Sequence, residues 1–173
     1  TWRTAPSRST KAPSGVSLCV GFIAALHTVR ATRAEIEVAA VRALSGMTAK
    51  KLQPLEDLVD RAGKALDDAV EFAQIDTAIH QELIDLSGLQ TLSVLAGMLL
   101  NIMEAHNTMF MSVHGEDQQR QADELALRAY KRLLNHLRDG DSAGAAETWR
   151  RHLKKVEQYM VGDSDTTLVE LLS

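Results

Sequence analysis

Asp76 and His80 stand four residues apart in "IDTAIHQELIDLSG", residues 75–88, where apolar residues recur every three or four positions. On a helix, residues at this spacing lie above one another, so a carboxylate oxygen and an imidazole nitrogen can be presented to one point. Two such groups are half of a divalent-metal site, or a hydrogen-bonded pair at the edge of an apolar stripe. His152 offers a third group. It shares a helical face with Ala145, Trp149, Val156 and Met160, which turns its imidazole inward. An inward Asp, His and His would hold a metal and leave positions open for water or a ligand carboxylate. Spacing alone leaves both readings open, because D-x-x-x-H recurs in many helices.

Side chains so far apart in the chain can meet only if several elements pack around them, and the composition says which kind. Aromatic residues make up 4% of the 173, there are only three prolines, and the helix formers Ala and Leu dominate, with Glu, Arg and Lys among the charged residues. This favours helix and argues against a sandwich or barrel. The length suits one domain with a real core. The expectation is an all-α, single-domain antiparallel bundle of about six to seven helices. A net charge of −4 gives this chain no electrostatic basis for holding nucleic acid by itself. Its single cysteine, Cys19, cannot form an internal disulfide, which fits a reducing, cytoplasmic setting. Arg3, Arg8 and Lys11 precede the apolar run "VSLCVGFIAAL", loosely like a signal peptide, but no A-x-A site follows. The run is also too short to span a bilayer, so no membrane partner is expected.

Along the chain, residues 1–15 are rich in Pro, Ser and Thr and read as a linker or arm. Residues 16–162 form the helical domain and 163–173 a short apolar tail. A first helix is expected over Ser17–Ala31 and a second from the T-x-x-E capping box of Thr32 and Glu35. Pro54 suits the first turn of a third. Asp67 or Asp68 caps a fourth, which carries Phe72, Ile75, Ile79, Leu83 and Leu86 inward and stops at Gly88. A fifth, from Leu89 onward, is apolar almost all round. A sixth, from Gln118 to Arg138, buries Leu125, Ala126, Tyr130, Leu133 and Leu137, and a seventh is capped by Asp141 or Ser142.

Three stretches resemble the FCD ligand-binding domain of GntR-type bacterial transcription regulators of the FadR subfamily, over roughly residues 33–157. "IDTAIHQELIDLSG" is similar to the family's D-x-x-F-H and S-G segment, and "HLRDGDSAGAAETWRRHL" to its G-D and H-L segment. "RAEIEVAAVRAL" resembles the R-x-x-x-E opening helix, with Arg33 and Glu37 in those places. The resemblance implies a divalent metal (Zn, Ni or Mn-like) held by Asp76, His80 and His152 beneath an effector pocket. The family's remaining His falls on Tyr130, and its S-G-N reads "SGL", with Leu89 in place of the amide. A phenol of ordinary pKa is a poor neutral ligand. Three outcomes follow: three side chains plus water hold the metal, Tyr130 coordinates or hydrogen-bonds a ligand, or the metal is lost and a polar pocket stays. His136 reads as solvent-facing, and His106 and His114 as surface or pocket-wall residues.

Arg33 is the candidate contact for an effector carboxylate, with an i, i+4 ion pair to Glu37 as its alternative role. The resemblance further implies a homodimer, a small carboxylate effector, and DNA contact through a winged helix-turn-helix domain that this chain does not contain. The opening "TWRTAPS" is similar to the last strand of such a wing. No group beyond the proposed ligands has an evident general-base role, so an enzyme is not expected. The alternative is a stand-alone helical dimerisation module whose pocket has degenerated at Tyr130 and Leu89.

Overall fold

Helix boundaries follow from local chemistry. Asp68 accepts hydrogen bonds at its side chain from the backbone N–H of Val70 (3.1 Å) and Glu71 (2.9 Å), starting one helix. Asp141 does the same for the N–H of Gly144 at 2.9 Å, starting another. Gly88 and Gly140, both at φ 72°, follow helix ends where an L side chain would be strained.

The computed structural model of the protein describes the backbone of residues 15–44, 46–99 and 116–172, and side chains within 28–44, 46–99 and 117–159. Its helices are α1 (Gly15–Ala43), α2 (Ala49–Lys64), α3 (Ala69–Leu86), α4 (residues 90–99), α5 (Glu116–Arg138) and α6 (Ser142–Leu172). Two expected helices merge in α1. Thr32 does not cap; its hydroxyl donates to the Thr28 carbonyl at 2.8 Å, four residues back within the helix. No Gly or Pro lies between Gly21 and Gly46 to interrupt the run. Pro54 falls beyond the first turn of α2, whose N-cap is Thr48, so its ring forgoes one intrahelical bond. Residues 163–172 are helical, as part of α6. Residues 1–14, the rest of the expected fifth helix, and His106 and His114 lie outside the described residues.

The helices close into a bundle in which α6 lies between α1 and α5, α3 packs on α1, α2 and α5, and α2 also meets α5. One core joins Val38 and Val41 of α1, and Leu44 just past its end, to Leu52, Leu55 and Val59 of α2, and to Phe72, Ile75, Ile79 and Leu83 of α3. From the other side come Leu127, Leu133 and Leu137 of α5 and Trp149 of α6. Each such side chain contributes roughly 1.5–3 kcal/mol of transfer free energy. A smaller cluster of Ala40, Ile84 and Ala96 seats α4 on α1 and α3. Two expected core residues differ: Leu125 is 43% and Val156 36% exposed. Both line the same cleft between α5 and α6, so neither is covered by the other helix.

Candidate functional site

Four helices deliver polar groups to one interior point. The i, i+4 spacing on α1 brings Arg33 against Glu37, whose side chain is completely buried, and Arg33 Nε donates to Glu37 Oε1. Glu37 Oε2 accepts the indole N–H of Trp149 at 2.9 Å and faces His80 Nδ1 at 2.6 Å. On α3, His80 Nε2 lies 3.8 Å from Asp76 Oδ1. Tyr130 of α5 donates its hydroxyl to that same Asp76 oxygen. His152 of α6 stacks on His80 with ring centroids 5.7 Å apart, and Trp149 leans against both rings at 4.8 and 4.9 Å. One ligand atom each from Asp76, His80 and His152 falls within 4.8 Å of the others.

Charge decides what these groups can do. Burial alone would push the Glu37 carboxyl up, but the Arg33 guanidinium and the His80 ring outweigh it and pull it down to about 2. Glu37 is therefore an ionised acceptor, which places a proton on His80 Nδ1 and leaves Nε2 as the nitrogen turned towards Asp76. This is the carboxylate–imidazole support that orients a metal-binding histidine. Burial, with the His80 ring adding to it, lowers His152 to about 3 and keeps it neutral. His152 Nε2 is buried and has no hydrogen-bond partner among the described residues. Burial first, and then the Asp76 charge, holds the Tyr130 phenol well above its ordinary value. Tyr130 is thus a hydroxyl donor to Asp76 rather than a phenolate.

The residues present fit a divalent ion with three protein ligands. An orphaned imidazole nitrogen, a second one held in the right tautomer and a carboxylate converge, and the Asp76 side chain, 31% exposed, marks the approach from solvent. Arg33 sits at the edge of this cluster, committed through Nε to Glu37. His136 stays apart, pairing with Asp141 at 2.9 Å near the α5–α6 turn. Leu89 is 40% exposed. Sequence reasoning missed the central part of Glu37 and the hydrogen-bonding part of Trp149. The signal for Glu37 was a lone carboxylate in the apolar run "IEVAAV", with Arg33 one turn before it. It also missed Asp123, two turns before Tyr130 on α5, which is buried and accepts from Gln119 at 2.8 Å. Burial raises the Asp123 carboxyl to about 6, partly offset by the Gln119 bond, with the Asp76 charge pushing the same way as burial.

Among the described residues the fold is all helical, and it gathers a carboxylate, two imidazoles and a phenol at one point. The chain belongs to the FCD domain family, whose model matches residues 28–155, the span of the motifs that resemble GntR-type regulators. The structure is similar to that of E. coli McbR/YncC, with a TM-score of 0.70 and 17% identity, over 80% of this chain and 68% of that one. At that identity the likeness speaks to the fold. No curated protein matches the chain in sequence. The family places the chain among regulatory, effector-binding domains. No helix among the described residues is long and apolar enough to cross a membrane.

Proposed function

We propose that this chain senses a small organic acid for a GntR-type transcription regulator, using a divalent metal held by Asp76, His80 and His152. The observation that carries this reading is the buried, unpartnered Nε2 of His152 beside Asp76 and His80. A buried polar atom without a partner is costly, and a ligand would satisfy it. When bound, the ion would supply positive charge to anchor an effector carboxylate. This chain's own residues do the rest: Glu37 fixes the His80 ring, Tyr130 steadies Asp76, and Arg33 offers its remaining guanidinium N–H groups to the acid.

Regulation follows if the acid prefers one arrangement of a homodimer over another, because the shift in operator affinity cannot exceed that preference. The DNA-reading partner is a winged helix-turn-helix domain joined to this one. Exposed Val94, Leu95 and Met98 on α4 support the dimer, since an apolar row of this kind suits a second copy. The role is one of regulation in the cytoplasm rather than catalysis. Metal analysis of purified protein, with calorimetric titration of carboxylic acids in the presence and absence of zinc or nickel, tests the reading. The expected result is about one ion per chain, lost in His80→Ala, and acid binding that strengthens with metal. Tyr130 favours a second reading, because its hydroxyl already occupies Asp76. There the pocket is metal-free, or closed in a stand-alone dimerisation module. A metal-free protein that still binds acids selects the first form, and one that binds neither selects the module.

A further inference from the structure

A cleft between α5 and α6 reaches His152 of the polar cluster and is otherwise lined by residues outside that cluster. Here residues 118–132 of α5 and 148–159 of α6 flank a cleft of about 550 Å³. This volume lies within the range of roughly 300–1,000 Å³ typical of small-molecule sites. Leu125 and Val156, the two residues that sequence periodicity assigns to the core, instead give it exposed apolar walls. Arg132, Arg151 and Lys155 line it, and no aspartate or glutamate does so among the described residues. On a chain of net charge −4, this hollow is a local excess of cations.

The three cations differ in how far they are engaged. Arg151 Nε lies 3.6 Å from Glu147 Oε1, which compensates it in part. Arg132 uses Nε on the Arg128 carbonyl at 3.3 Å, leaving its terminal N–H groups. No ion pair involves Arg132 or Lys155 among the described residues, so these two carry most of the unneutralised charge.

The second observation lies in the lining between them. Thr148 is 6% exposed and belongs to the cleft, and its buried hydroxyl has no hydrogen-bond partner among the described residues. A helical Thr ordinarily returns its hydroxyl to the carbonyl four residues back, as Thr32 does to Thr28 at 2.8 Å and Thr77 to Ala73 at 3.1 Å. Thr148 makes no such bond. A buried hydroxyl that declines its local acceptor, within a hollow lined by free cations, is placed to donate to an anion.

We propose that this cleft binds a small organic anion, with Arg132 and Lys155 gripping its charged group, Thr148 donating from below, and its carbon skeleton lying on Leu125 and Val156. The cleft takes in His152 but neither Asp76 nor His80, and the proposal does not rest on the metal. His152 touches both, since its ring belongs to the inner cluster and also lines the cleft. Occupancy of the cleft therefore bears directly on one wall of the inner site.

Carboxylates and phosphate esters share the required chemistry, so the test uses one of each. Citrate and glycerol 3-phosphate are titrated calorimetrically into the full chain, into Arg132→Ala/Lys155→Ala, into Thr148→Val and into His80→Ala. At least one probe should bind saturably at one per chain, weaken about tenfold or more in the double variant, and weaken about threefold in Thr148→Val. Binding should persist in His80→Ala, which removes one proposed metal ligand and no residue lining the cleft. Heat from citrate alone assigns a carboxylate source, and from glycerol 3-phosphate alone a phosphate source. The proposal is overturned if neither probe binds, if the double variant binds as wild type, or if His80→Ala abolishes the signal. Arg132 and Lys155 are exposed, so the double variant keeps the test decisive even if Thr148→Val destabilises the fold.

Discussion

The two halves of the buried polar cluster are built differently. On the Glu37 side every group is committed: Arg33, His80 and Trp149 all turn to one carboxylate. On the His152 side a ring nitrogen of equal burial is left without a partner among the described residues. A saturated network is what holds a fold together, while an unsaturated group at the same depth is what a ligand can complete. The structure thus separates a scaffolding half, which sets the positions of Arg33 and His80, from a receptive half, where His152 Nε2 has no partner among the described residues.

The largest effect should come from breaking the saturated half. Glu37→Leu leaves the Arg33 charge and two buried donors without an acceptor, and urea denaturation should show a loss of about 3–5 kcal/mol. Glu37→Gln keeps the shape and should lose less, about 1–3 kcal/mol. If Glu37→Leu were as stable as wild type, the contrast between the halves would collapse.

The receptive half should show itself next, through pH. The folded protein holds His152 at about 3 against 6.5 when unfolded, so the unfolded chain binds the extra proton between those values. Stability from this group is complete above about pH 6.5 and falls as pH drops towards 3. Glu37 acts only lower, its contribution being present above about 4.5 and lost towards 2. Metal-free wild type compared with His152→Leu should therefore differ in slope between pH 6.5 and 4.5, by about 1–3 kcal/mol across that window. Parallel curves would show that the orphaned nitrogen carries no such penalty.

Smaller effects sharpen the boundary between the halves. Tyr130→His restores the family's fourth ligand position and should tighten zinc about tenfold or more in competition with a chelator. The Trp149 indole, leaning on both histidine rings, gives a fluorescence readout of that titration. Asp123→Asn should be the mildest. The folded state favours the protonated acid, with a value of about 6 against 3.8, so stability from this group falls as pH rises through that range. Its amide replacement should gain about 1 kcal/mol at pH 7 and nothing at pH 3, read by thermal denaturation.

Much of this was legible in the sequence, and the reasons are local. The i, i+4 spacing of Asp76 and His80 and the inward face of His152 depend only on helical periodicity, so these side chains could be placed before any fold was known. Caps at Asp67 or Asp68 and at Asp141 or Ser142 were readable for the same reason, and Asp68 and Asp141 are the ones used. What could not be read was anything set by a second helix. Thr32 carries a capping pattern, yet packing along α1 keeps the chain helical through it. Leu125 and Val156 match the apolar period, but α5 and α6 leave a cleft at their height. Glu37 was visible as a partner for Arg33, whereas its bonds to His80 and Trp149 span 43 and 112 residues. No spacing rule reaches so far.

The absence of a break in α1 has a mechanical consequence. From Glu37 back to Gly15 the helix runs unbroken for 22 residues, about 33 Å at 1.5 Å per residue. A tilt of about 5° at the Glu37 end displaces the far end by about 3 Å, a tenfold amplification of a subangstrom adjustment near the pivot. Two short helices joined at Thr32 would have absorbed that motion in the joint, whereas a single rod delivers it to whatever is fastened at its tip.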